Sequence, residues 1–248
     1  MINLPQVIVK DAFQLAWIEA LKILIRNGGE VRNLVVHITN PSILNTHLHG
    51  DFHQFCIEKN IKNPKQVAYT IFPYLLYQKI GNAEDLFNAY LRKGGMYERW
   101  MKKRDAGDWG TYFHRMVCYP TNNGTKNQLK NIINAIKNRL NKGMVYQSCY
   151  TIIIQKPGSE TIRPLRGPCL NYLAVQMEKN GPTLGLLAVY RNHYFVERAY
   201  GNYWGLCNLI NFLAQETGCY IGPLTCVSSR ARIESNKRNI ISFVENYD

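Results

Sequence analysis

Gly167-Pro168-Cys169 followed by Leu170–Met177 (LNYLAVQM), then Asn180-Gly181 and Leu184–Tyr190 (LGLLAVY), is the stretch on which the reading turns. Two short apolar runs rich in β-formers flank Asn-Gly, the dipeptide that most readily supplies the two positive-φ residues of a tight hairpin. The spacing predicts two antiparallel strands. Tyr190-Arg191-Asn192-His193 follows the second strand and leads through Glu197-Arg198-Ala199-Tyr200-Gly201 into a helix predicted from about Asn202 to Glu216. Trp204, Cys207, Leu209, Ile210 and Leu213 recur at helical spacing, and Gly218 stops the pattern.

Elsewhere, Asp11–Arg26 reads as an amphipathic helix ended by Asn27-Gly28-Gly29, and Asn33–Thr39 as a strand ended by Asn40-Pro41. Residues 66–79 read as a second helix. Asn82 is expected to cap a third, which runs through Leu86, Phe87, Tyr90 and Leu91 to Gly94-Gly95. Thr125 and Gln128 have the spacing of a capping box before Leu129, Ile132, Ile133, Ile136 and Leu140, and Cys149–Gln155 is a β-branched run. The expectation is an α+β fold, a single domain over 1–248, with helices packed on one sheet of mixed direction.

In 248 residues, 46% hydrophobic and 19% charged residues describe a folded chain rather than a disordered one. The 30 Lys and Arg against 17 Asp and Glu give +13, a balance that favours anionic partners. The cations form no run of five, so a phosphorylated small molecule fits at least as well as nucleic acid, whose binder would lose affinity steeply with salt. No apolar run reaches about 18 residues, so no membrane-spanning segment is expected. The first residues lack the pattern of a secretory leader. Seven cysteines without a CxxC pair suggest reduced thiols and a cytoplasmic protein. His47, His49, His53 and Cys56 lack the convergent spacing of metal ligands and are expected to be surface histidines; no metal site is expected.

Cys169 stands directly after a proline, at the entry to a strand, with Arg163 and Arg166 close by. Neighbouring cations favour thiolate, so Cys169 reads either as a nucleophile or as a buried structural thiol. Arg191 at a strand end offers a fork to phosphate. Asn202 at a helix start offers one donor and one acceptor, the pattern that reads a pyrimidine amide edge, or else serves as a cap.

Pro168-Cys169, the hairpin, Arg191, the interval of eleven to Asn202, the long helix and Glu216-Thr217-Gly218 with Gly222 together resemble the thymidylate synthase superfamily. Asn127-Gln128-Leu129, Trp109-Gly110-Thr111-Tyr112 and Asp11–Asn33 extend the resemblance backwards. It implies a bent mixed sheet at a homodimer interface and a chemistry in which a thiolate adds to C6 of a pyrimidine nucleotide, so that C5 attacks a one-carbon unit carried by 5,10-methylenetetrahydrofolate. On that resemblance Cys169 is the nucleophile, and Tyr112 takes part in removing the C5 proton. Arg191 meets phosphate, Arg32 falls near the phosphate-binding loop, Arg166 belongs to the substrate site, and Asn202 meets the base. Arg232 and Glu234 replace the sugar-holding residues, with Arg232 equally able to pair with Glu234 or bind phosphate, and Tyr194 falls where the family has the acid that engages the folate.

The departures are Leu170 for the usual His, Tyr194 for that acid, Arg232-Ile233-Glu234 for His-x-Tyr, and Gly143-Met144 for the arginines lent by the second subunit. The family's catalytic glutamate has no counterpart in Tyr69–Leu75. They point to C5 hydroxymethylation or methylation of a non-standard nucleotide such as CMP. The alternative is a catalytically degenerate relative that binds a nucleotide or RNA.

Overall fold

The computed structural model describes residues 4–102, 109–147, 150–158, 160, 167–178 and 181–247. Its centre is a mixed sheet of β1 (Gln6–Lys10), β2 (Glu30–Ile38), β5 (Tyr150–Ile153), β6 (Leu170–Met177), β7 (Thr183–Tyr190) and β9 (Tyr220–Arg232), in the order β1-β2-β9-β7-β6-β5. The short β8 (His193–Tyr194) runs beside the end of β9. β1 pairs β2 and β7 pairs β9 in parallel, and the other neighbours along that order are antiparallel. β3 (Tyr119–Thr121) and β4 (Gly124–Lys126) form a separate small hairpin.

The parallel step from β7 to β9 needs a crossover, which is made by a π-helical turn (Phe195–Ala199) running straight into α9 (Tyr200–Thr217). α9 is buried on nearly every side, as its apolar residues all round the axis require. Gly201 and Gly205 let α3 (Pro64–Ile71) approach closely: a Cβ at Gly201 would stand 2.6 Å from the Pro64 carbonyl oxygen, and one at Gly205 2.7 Å from that of Ala68. α1 (Phe13–Arg26) packs on the same side, and Trp17 donates its indole N–H to the Phe195 carbonyl at 2.8 Å, tying α1 to the π turn.

Leu34, Val36, Leu224, Cys226, Leu186, Ala188, Leu173 and Val175 point into this helical layer and are all fully buried. The opposite face carries two rows set by the register: Val7, Val35, Val227, Val189, Tyr172, and Val9, His37, Thr225, Leu187, Ala174. Val7 is 65% and Val9 58% exposed. The inward alternation slips on both β2 and β9 at one level, from Leu34 to Val31 and from Ser228 to Ala231, where Asn33 takes φ 54°.

The α+β expectation, with one mixed sheet flanked by helices, holds. β6 has the expected bounds, and β7 begins one residue earlier than expected. Gly181 takes φ 108°, as a hairpin glycine should; Asn180 and Cys149 lie outside the described residues. Three expectations are corrected. The helix expected over 66–79 is two, α3 and α4 (Tyr74–Ile80), because Phe72 is extended ahead of Pro73. Thr125 lies in β4, and Asn127 caps α8 (Gln128–Leu140) by accepting from the Lys130 amide. Gln128 instead crosslinks α8 to β5, accepting from the Ile153 amide and donating to the Ile153 and Arg115 carbonyls. The histidines lie on α2 (Thr46–Glu58), where His49 and His53 are half-buried against Trp204 rather than on the surface. Among the described residues no cluster of metal-ligating side chains occurs, and no helix is long and apolar enough to cross a membrane.

Candidate active site

Cys169 sits where the chain enters β6, beside the end of β7. Its carbonyl accepts the Arg191 amide at 2.9 Å, and Arg191 Nε donates to the Pro168 carbonyl at 3.1 Å. The Arg191 guanidinium also hydrogen-bonds the thiol. Tyr112, the first residue of α7 (Tyr112–Val117), reaches in from the far side: its hydroxyl oxygen accepts the amides of Cys169 at 3.3 Å and Leu170 at 3.5 Å. The sequence-predicted Cys169, Arg191 and Tyr112 therefore share one site.

A second cation joins them that the sequence reading passed over. Arg198, on the π turn, lies near enough to the Cys169 thiol and the Tyr112 phenol to favour the ionised form of both. Burial still prevails. It pushes the Cys169 thiol above its ordinary value of 9.0, with Arg191 and Arg198 pulling the other way, and it pushes Tyr112 up to about 12, helped by the neighbouring Cys169. The thiol of the free site is thus protonated at neutral pH. Arg163 and Arg166, the two cations that the sequence places beside Cys169, lie outside the described residues.

Asn202 stands one layer behind. It is not a cap but the third residue of α9, 4% exposed, with Nδ2 3.0 Å from His193 Nε2. An amide nitrogen only donates, so His193 Nε2 accepts and Nδ1–H faces Ser228 Oγ at 2.9 Å. Burial holds His193 down to about 3, which keeps this tautomer neutral. Tyr190 bridges the layers: its ring stacks on His193 at 4.1 Å, and its phenol lies near Tyr112, Cys226, Tyr203 and Cys169.

The remaining expected residues lie along the same end of the sheet. Arg232 crosses from β9 to β8, donating to the Tyr194 hydroxyl at 2.8 Å with its guanidinium over that ring. Arg32 is exposed on β2, opposite Arg230, and Glu30 pairs with Arg230 at 2.6 Å. Glu234 is turned to the backbone, its carboxylate accepting the Glu197 amide at 2.7 Å and the Val196 amide at 3.4 Å, so it pins the first turn of the π segment. A buried Arg115–Glu160 ion pair, with Arg115 Nε donating to the Trp109 carbonyl, fixes the chain that leads into Tyr112. The cleft lined by Asp51, Phe55, Glu58, Asn239 and Phe243 shares none of these residues. No protein-family model and no curated protein matches the chain.

Proposed function

We propose that the chain is a divergent member of the thymidylate synthase superfamily, a homodimer that transfers a one-carbon unit to C5 of a pyrimidine nucleoside monophosphate. The observation that carries the reading is the convergence of Cys169, Arg191 and Tyr112 at one sheet end, with Asn202 behind them. Cys169 Sγ adds to C6, its proton leaving to solvent, since among the described residues no carboxylate acts on the thiol. The C5–C6 double bond is consumed and its electron pair makes C5 nucleophilic. After C5 acquires its substituent, loss of the C5 proton expels the thiol and restores the double bond. Asn202 Oδ1 has no partner among the described residues and would accept from a base N–H, either uracil N3–H or the cytosine amino group.

The donor proposed from the resemblance is 5,10-methylenetetrahydrofolate, with hydroxymethyl or methyl as the group delivered to a substrate such as CMP. The fit to this carrier is incomplete. The Trp109 and Tyr112 rings are tilted 44° to each other, and the Tyr194 hydroxyl already accepts from Arg232. The uncovered valine face of the sheet supports dimerisation, because monomers rarely leave a contiguous apolar face open.

Incubation with 5-halogenated pyrimidine nucleotides, with and without the folate, tests the reading. Mass spectrometry should find an adduct on Cys169 that is lost in Cys169→Ser. The protonated thiol and the committed Tyr194 favour a second reading, a degenerate module that binds a nucleotide or RNA without chemistry. Nucleotide or RNA binding with no adduct from any nucleotide would select it.

A further inference from the structure

Among the described residues, three polar groups near the Cys169 thiol can still donate. The two amides bonded to the Tyr112 oxygen occupy its acceptor positions, so its O–H proton must point elsewhere. The Tyr190 hydroxyl is fully buried, lies near Tyr112, Cys226, Tyr203 and Cys169, and has no hydrogen-bond partner among the described residues. Unpartnered buried hydroxyls are rare because each costs a desolvated hydrogen bond. Among the described residues no hydrogen bond or ion pair engages the half-buried Arg198 guanidinium, although the Glu197 carboxylate lies on the same turn and Glu234 bonds to that turn. Glu197 accepts from Ser235, and Glu234 is spent on backbone amides that hold the turn in place.

We propose that Arg198, with the Tyr190 and Tyr112 hydroxyls, forms an anion-binding site beside the Cys169 sulfur, and that the molecule the thiol attacks carries a phosphate or carboxylate oxygen close to the reacting carbon. The inference rests on the reading of Cys169 as the nucleophile but on no particular nucleotide. A guanidinium suits the task because it stays charged and presents several donors in one plane. Arg198 is a specificity residue here, distinct from Arg191, which is already bonded to the Pro168 carbonyl and the thiol.

Alkylation with two reagents that differ in charge tests this. In each, Sγ displaces iodide from a CH2 carbon, and the thiol proton goes to buffer. Iodoacetate carries a carboxylate on the attacked carbon, whereas iodoacetamide is neutral. The half-buried Cys118 and Cys219 are internal references in the same chain. The iodoacetate-to-iodoacetamide rate ratio, read by peptide mass spectrometry, should be about five- to tenfold higher at Cys169 than at the references, as one nearby cation would give. Arg198→Gln should bring it to the reference value, and Arg198→Lys should keep most of it. In the unaltered protein, inorganic phosphate should slow iodoacetamide at Cys169 and not at Cys219. A Cys169 ratio equal to the references, or a phosphate titration without protection, overturns the proposal even if Arg198→Gln fails to fold. A Cys169 that selects iodoacetate yet forms no nucleotide adduct overturns the pyrimidine reading and leaves this one standing.

Discussion

At the scale of single residues, burial and charge oppose each other on one sulfur, and burial prevails. A thiol held above 9.0 reacts slowly at neutral pH and faster as base removes its proton. Iodoacetamide modification of Cys169 is therefore predicted to keep rising with pH through 9 and beyond; a rate that levels off below pH 8 contradicts the assignment. Asn202 reverses the usual division of labour between structure and ligand. Its amide nitrogen satisfies a buried histidine and only its oxygen remains for a substrate. Asn202→Ala strands His193 Nε2 and is predicted to lower stability by about 1–3 kcal/mol, read from the urea midpoint. An unchanged midpoint would show that the His193 contact carries no weight. The interval between Arg191 and Asn202 was legible because hairpin and helix signals bracket it. Arg198 was not, since an isolated arginine in a helix-like stretch has no pattern, and a π turn has no sequence signature to announce it.

At the scale of elements, the strands with clean apolar runs and an Asn-Gly turn could be read, and the strand that organises the sheet could not. β9 hides because Gly222-Pro223 breaks its pattern and Ser228, Ser229 and Arg230 make its end look like loop. The structure accommodates the proline at a register shift opposite Leu184–Leu186, where a missing N–H costs nothing. α2 escaped for a different reason: three histidines, Gly50 and Asp51 dilute its apolar stripe. The π turn is held from outside itself, by the Glu234 carboxylate on its first amides and by the Trp17 indole on the Phe195 carbonyl. Glu234→Ala is predicted to cost about 1–3 kcal/mol and to raise amide exchange across residues 195–199. Exchange that stays as slow as in the unaltered protein would remove Glu234 from that role.

At the scale of the whole molecule, the acid limit follows from histidines kept neutral. His49 and His114 are held down to about 4 and His193 to about 3, all chiefly by burial. Unfolding restores each to its ordinary value of 6.5, so the unfolded chain binds protons that the folded chain refuses. Stability is full above pH 6.5 and falls as pH drops from there toward 4, by about 1 kcal/mol per pH unit for the fully buried His193 alone. The +13 charge adds self-repulsion in the same direction. Thermal melts at pH 7.5, 5.5 and 4.5 check this, and a flat profile refutes it. The open sheet face gives a second test at this scale: Val189→Arg, in the middle of its row, is predicted to shift a dimer to monomer in sedimentation without changing the fold.

The central claim, that Cys169 adds reversibly to C6 of a pyrimidine nucleotide, can be tested without any one-carbon donor. Addition makes C5 basic enough to take a deuteron from D2O, and elimination then returns a nucleotide labelled at C5. Proton NMR of CMP, UMP, dCMP and dUMP incubated with the protein in D2O is predicted to show loss of the C5–H signal for one of them, and no loss with Cys169→Ser. Retention of that signal in all four nucleotides, with the protein folded and in excess, would contradict the account.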